Sequence, residues 1–210
     1  MKFKPLLLLL LFSISSCMDK DDYYHRGIEK THIEDYEGAK ADFSKAIALD
    51  HSFIDAYRLR GKVKSFLGEY SDAILDYSKA IKINPQNNYS YQAYYDRGLA
   101  KMELSDYKGA VSDFSKDIQF EKTSWITYAE RGLAKYYLKE YQSAIKDCDS
   151  AIEIHNFMGY SYYIRGINKL RINDQNGACL DLEKASELNT IDGIQCRDTI
   201  EKYCKLKNLP

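Results

Sequence analysis

Arginine, lysine and aspartate recur together five times at fixed spacing in this 210-residue chain. Arg26, Arg60, Arg97, Arg131 and Arg165 are each followed four residues later by lysine: Lys30, Lys64, Lys101, Lys135 and Lys169. Sixteen residues after each arginine comes aspartate, at Asp42, Asp76, Asp113, Asp147 and Asp181. Like charges four apart on a helix repel by a few tenths of a kcal/mol, so the aspartates are expected to answer them from a second helix. The chemistry this set offers is ion pairing. A structural ladder between helices is favoured over an anion-binding stripe, and exposed pairs of this kind are worth ~0–1 kcal/mol each.

No other spacing offers catalysis. His25, His32, His51 and His155 are scattered, with no His-Glu-x-x-His or Cys-x-x-Cys pattern. His25 and His32 share a helix face but lack a carboxylate or thiolate beside them, and read as surface histidines. An enzyme is therefore not expected, nor a metal or other cofactor. With 30 basic and 31 acidic side chains the chain is nearly neutral, and no basic patch marks nucleic acid as a partner.

The elements that must position these residues follow from a period. Each repeated arginine precedes a glycine, and Gly27, Gly61, Gly98, Gly132 and Gly166 are 34, 37, 34 and 34 residues apart. Such a period marks stacked units that bury their apolar faces against their neighbours. Twelve residues after each glycine stands alanine (Ala39, Ala73, Ala110, Ala144, Ala178), and sixteen after it a core residue (Phe43, Tyr77, Phe114, Cys148, Leu182). Nineteen after it alanine returns, except that unit three has Asp117. These offsets fall on one face of a 3.6-residue helix. A tyrosine precedes each glycine by four (Tyr23, Tyr57, Tyr94, Tyr128, Tyr162), which defines a first helix. The glycines are expected to pack closely against the alanines of the second helix, with the aromatics on the flanks. A three-residue insertion around Gln86-Asn87-Asn88-Tyr89 is expected to be an exposed loop.

In order and spacing, the tyrosine, glycine, alanine, core-residue and alanine positions resemble the tetratricopeptide repeat (TPR). The resemblance implies an all-α, right-handed superhelical solenoid of five helix pairs over residues 22–190. A capping helix is expected at 191–207, because repeat arrays end in a unit with a polar outer face.

Residues 1–16 read as a signal peptide, with the basic head Met1-Lys2-Phe3-Lys4 and an apolar run from Leu6 to Phe12. Ile14-Ser15-Ser16-Cys17 resembles the bacterial lipobox, which implies cleavage before Cys17 and lipid on its sulfur. Residues 17–21 then form a lipidated tether. The acidic Asp19 to Asp22 stretch resembles surface-export signals of Bacteroidetes lipoproteins, and reads equally as a solvated linker. These resemblances imply an outer-membrane lipoprotein of a bacterial envelope, on its periplasmic or surface face.

Cys148 replaces an aromatic core residue and is expected to be a buried free thiol. Cys196 and Cys204 lie ~12 Å apart along a helix, too far to pair with each other. Either reaches Cys179. Stacking of successive helices favours Cys179–Cys204; Cys179–Cys196 and three unpaired thiols remain the alternatives.

In the resembled fold the first helices line a concave face. Positions three before each glycine, namely Tyr24, Arg58, Tyr95, Ala129 and Tyr163, are expected to point into it, joined by Tyr136, Tyr137 and Tyr160. Six of these eight are tyrosines. The implied function is a scaffold that binds a protein or peptide there. The alternative is a glycan- or peptidoglycan-binding surface lipoprotein, since tyrosine rings also stack on sugars.

Overall fold

The structure, a computed structural model, describes residues 18–188 and 193–204, with the backbone alone described for 193–197. Residues 1–16 and Cys17 lie outside the described residues. Eleven helices and no strands occur among those described. They pair as α1 (Lys20–His32) with α2 (Tyr36–Leu49), α3 (Ile54–Phe66) with α4 (Tyr70–Ile83), α5 (Asn88–Glu103) with α6 (Tyr107–Phe120), α7 (Trp125–Tyr137) with α8 (Tyr141–Ile154) and α9 (Gly159–Arg171) with α10 (Gln175–Glu187), followed by α11 (Gly193–Tyr203).

Local chemistry sets the ends. Asp19 caps α1 in a reciprocal box with Asp22, so Lys20 and Asp21 are helical rather than tether. Between the two helices of every unit one residue adopts left-handed backbone: Glu34, Gly68, Ser105, Lys139 and Asn173, with φ of 60° to 76°. The next amide then donates back to the last-turn lysine carbonyl, as from Asp106 to Lys101 at 2.8 Å. This is the Schellman closure. The following acid starts the second helix, and the side chains of Asp35, Asp106 and Asp174 accept from the amides of Gly38, Gly109 and Gly177.

The insertion between units two and three is not wholly a loop. Asn88 and Tyr89 are helical, and α5 has 16 residues where the other first helices have 13. Asn87 supplies the cap by accepting from the Tyr89 amide at 2.8 Å, and the Ser90 hydroxyl donates to the Asn84 and Ala80 carbonyls. The extra residues are thereby absorbed as about one helical turn.

The glycines also work differently from the sequence expectation. A Cβ on Gly27, Gly61 or Gly98 would lie 2.8, 2.8 or 2.5 Å from the ring of Phe43, Tyr77 or Phe114. Glycine therefore seats the aromatic of its own second helix. Only at Gly132 and Gly166, where Cys148 and Leu182 replace the ring, do alanine carbonyls of that helix come among the nearest atoms, both at 3.3 Å.

First helices also touch one another, α3 with α5, α5 with α7 and α7 with α9, which places them on the inner side of the curve. At the C-terminal end α11 packs Ile200 and Cys204 against Leu182 and Ala185. Cys179 and Cys204 are joined by a disulfide, with Cα atoms 5.7 Å apart, and the Gln175 side-chain amide donates to the Tyr203 carbonyl. Cys148 is free and buried, and burial pushes its thiol pKa up.

Candidate binding groove

The repeated charges are consumed by the architecture. Each arginine makes a two-pronged pair with its aspartate: Arg97 Nε donates to Asp113 Oδ2 at 2.8 Å and Nη2 to Oδ1 at 2.6 Å, and the other four repeat this. The lysine joins the same carboxylate at 2.7–2.9 Å. The third guanidinium nitrogen of Arg60, Arg97 and Arg131 reaches back to Ser44, Ser78 and Ser115 of the preceding unit, and that of Arg165 to Asp149. Each arginine also lies 5.2–5.5 Å over the ring of the tyrosine three residues before it, a cation–π contact. The aspartates are only 1–5% exposed, so the small value of exposed pairs does not apply to them. They are buried charges whose pairing is obligatory.

What varies between units faces the groove, where three cavities follow one another along the first helices. At the C-terminal end a cavity of about 540 Å³ brings Tyr136, Tyr137, Tyr160 and Tyr163 together with Leu133 and Ile167. Thr199 and Tyr203 of α11 close it. At its rim the Arg171 guanidinium donates twice to the Tyr136 hydroxyl, at 2.8 and 3.1 Å. Tyr137 stacks on Tyr107 with centroids 4.6 Å apart, so one of its faces is already taken. Tyr24 lies instead in a separate cavity of about 490 Å³ with Ile28, Leu59 and Phe66. Tyr95 lines a third, of about 290 Å³, with Arg58, Asp96 and Asp117. Ala129 does not face the groove: it is fully buried against Cys148, Ala151 and Ile164.

The groove floor is acidic, which the tyrosine-centred reading missed. The Tyr24 hydroxyl donates to Asp55, and Arg58 bridges Asp55 at 2.9 Å and Asp96 at 3.3 Å. Burial raises the pKa of Asp96 against the lowering pull of Arg58. Asp117 accepts from Thr127 at 2.7 Å, and Glu130 accepts from the Tyr160 hydroxyl at 3.0 Å. Burial pushes both carboxyls above their ordinary range. It also raises the Tyr95 phenol, helped by the charges of Glu130, Asp96 and Asp117. A signal existed in the sequence. Asp117 occupies an alanine position, and Asp96 and Glu130 stand two residues before the repeat glycine, where two other units have Leu59 and Ile164.

Among the described residues no group of three His, Cys, Asp or Glu is placed to hold a metal ion, and no helix is long and apolar enough to cross a membrane.

Paired helices of this length, stacked with first helices inward, define an all-α TPR solenoid closed by a capping helix. Residues 54–87 match the family model of the tetratricopeptide repeat. Among solved structures the chain is similar to a MamA protein (20% identity, 91% of this chain and 98% of that one, TM-score 0.73). It is also similar to MamA from Desulfovibrio magneticus RS-1 (18%, 81% and 94%, 0.76). A third is YrrB, described as a TPR protein with an unusual peptide-binding site (18%, 87% and 92%, 0.74). A search of curated proteins finds no match.

Proposed function

We propose that this chain is a membrane-anchored scaffold that binds a protein or peptide segment along its concave face. One observation carries the reading. Side chains that repeat are used in packing and ion pairing, whereas those lining the three consecutive cavities differ from unit to unit. A surface of that kind selects an extended partner, with pockets for successive side chains. The peptide-binding site described for YrrB supports the same use of the fold. The anchor rests on the lipobox resemblance at Cys17, which implies attachment to a bacterial envelope membrane, the outer membrane.

Two measurements test this. Loss of a co-purifying protein from native envelopes on Tyr136→Ala and Tyr163→Ala, with the fold intact, is the expected result. If the same variants abolish retention on polysaccharide instead, the glycan-binding alternative replaces it. Cys17→Ala should release the chain from the membrane fraction, and unchanged retention there removes the anchor.

A further inference from the structure

The five structural aspartates and the groove carboxylates are treated very differently by the same fold. Asp42, Asp76, Asp113, Asp147 and Asp181 each receive an arginine and a lysine. Asp117 is almost as buried, at 6% exposed, yet receives only the Thr127 hydroxyl. Its other oxygen, Oδ1, has no hydrogen-bond partner among the described residues, and the side chain lines the third cavity. Glu130 has only the Tyr160 hydroxyl. Nearby cations do not neutralise these two. Arg58 is taken up by Asp55 and Asp96, and Lys62, exposed at the same cavity, lies over the Phe66 ring and acts on Asp96. Among the residues lining that cavity, the acids Asp96, Asp117 and Glu121 stand against the cations Arg58 and Lys62, one acid in excess.

Holding Thr127 does not require a charge at residue 117, since an asparagine carbonyl accepts the same bond. The four other units place alanine there. A buried carboxylate with no cation is costly to keep. It is well matched to a cation delivered by a partner, and the Tyr95 ring lining the same cavity adds the aromatic face that favours a cation.

Resting on the groove reading above, we infer that the middle of the groove, the cavity lined by Tyr95 and Asp117 with Glu130 one helical turn beyond Thr127 on α7, is a socket for a lysine or arginine side chain of the bound segment. The aromatic cavity of Tyr136, Tyr160 and Tyr163 lies next to it, and Tyr160 links the two through its bond to Glu130. The partner is therefore a segment in which a basic residue stands near an apolar or aromatic one.

A random, cysteine-free peptide library displayed on phage and selected on the full chain tests this. Enriched sequences should share a fixed lysine or arginine near an apolar residue. A synthetic peptide of that consensus should lose roughly tenfold in affinity when its basic residue becomes norleucine. It should lose a similar factor on Glu130→Gln or Asp117→Asn. The norleucine peptide should not distinguish these variants from the parent. Both substitutions keep shape and hydrogen-bond acceptor, and thermal melts confirm the fold; the norleucine comparison on the parent chain stands without them. Enriched peptides that Tyr136→Ala weakens but that share no basic position overturn the socket and leave the groove reading standing. If no enriched peptide is weakened by Tyr136→Ala, both fall.

Discussion

A buried, paired acid and a half-buried one without a cation coexist in this molecule, and they predict opposite mutational outcomes. Asp113 is 2% exposed and holds both Arg97 and Lys101. Asp113→Asn leaves two cations without their counter-charge and should cost ~3 kcal/mol, read as a lowered melting temperature. A loss below about 1 kcal/mol would mean that these pairs behave as exposed ones. Glu130 is the reverse. Burial raises its pKa in the folded chain, so the fold binds that proton more readily than the unfolded chain does. The ionised form then costs stability above the folded pKa, and the cost fades as pH falls through it. Glu130→Gln should therefore raise the melting temperature at pH 7, by roughly 2–4 °C for each kcal/mol of relief in a chain this size. The advantage should shrink on acidification. A pH-independent difference, or a lower melting temperature at pH 7, contradicts the assignment. Asp42 runs the other way: Arg26 and Lys30 hold its pKa at about 2. Its stabilising pair is present above the ordinary carboxylate range and is lost as pH falls toward that value.

At the scale of the helix pair, the period of 34 residues makes both helices of each unit legible, because the offsets between the residue types that recur within the chain fall on helical faces. The partner of the glycine was less legible. Spacing says that glycine and a small residue share a region, but not which side chain leans over the gap. In units one to three it is the ring sixteen residues later. This gives a ranked expectation. Gly98→Ala drives its methyl to 2.5 Å from Phe114 and should cost ~1–3 kcal/mol. Gly132→Ala meets Cys148 Sγ at 3.1 Å and should cost less. Equal losses in thermal melts of the two variants would contradict ring seating. The Arg–Tyr stacking and the arginine bonds to the preceding unit's serines were likewise present as spacings, but both depend on how a side chain turns, which a period alone does not specify. The acidic groove floor stayed hidden for a related reason. Asp96 and Glu130 lie at a position beside the one that spacing selects, and a shift of one residue turns a helical side chain by about 100°.

Across the whole molecule, a regular scaffold carries an irregular inner surface, and its C-terminal end is secured covalently. The Cys179–Cys204 bridge closes a 25-residue separation and ties down the helix whose Thr199 and Tyr203 wall the aromatic cavity. Closing a loop of that length is worth ~3 kcal/mol. Cys204→Ser should accordingly speed amide exchange in α11 and the end of α9 while leaving α3 to α6 unchanged. Uniform protection in the variant would show that packing alone holds the cap. Capture of partners by the inner face of the first helices is the core of the proposed function. Its most direct test is a photo-crosslinking amino acid placed at Tyr136 in the groove or at Leu180, 69% exposed on the second helix of unit five. Irradiation in native cells should yield protein adducts from position 136 and none from 180; adducts from 180 with none from 136 would contradict it.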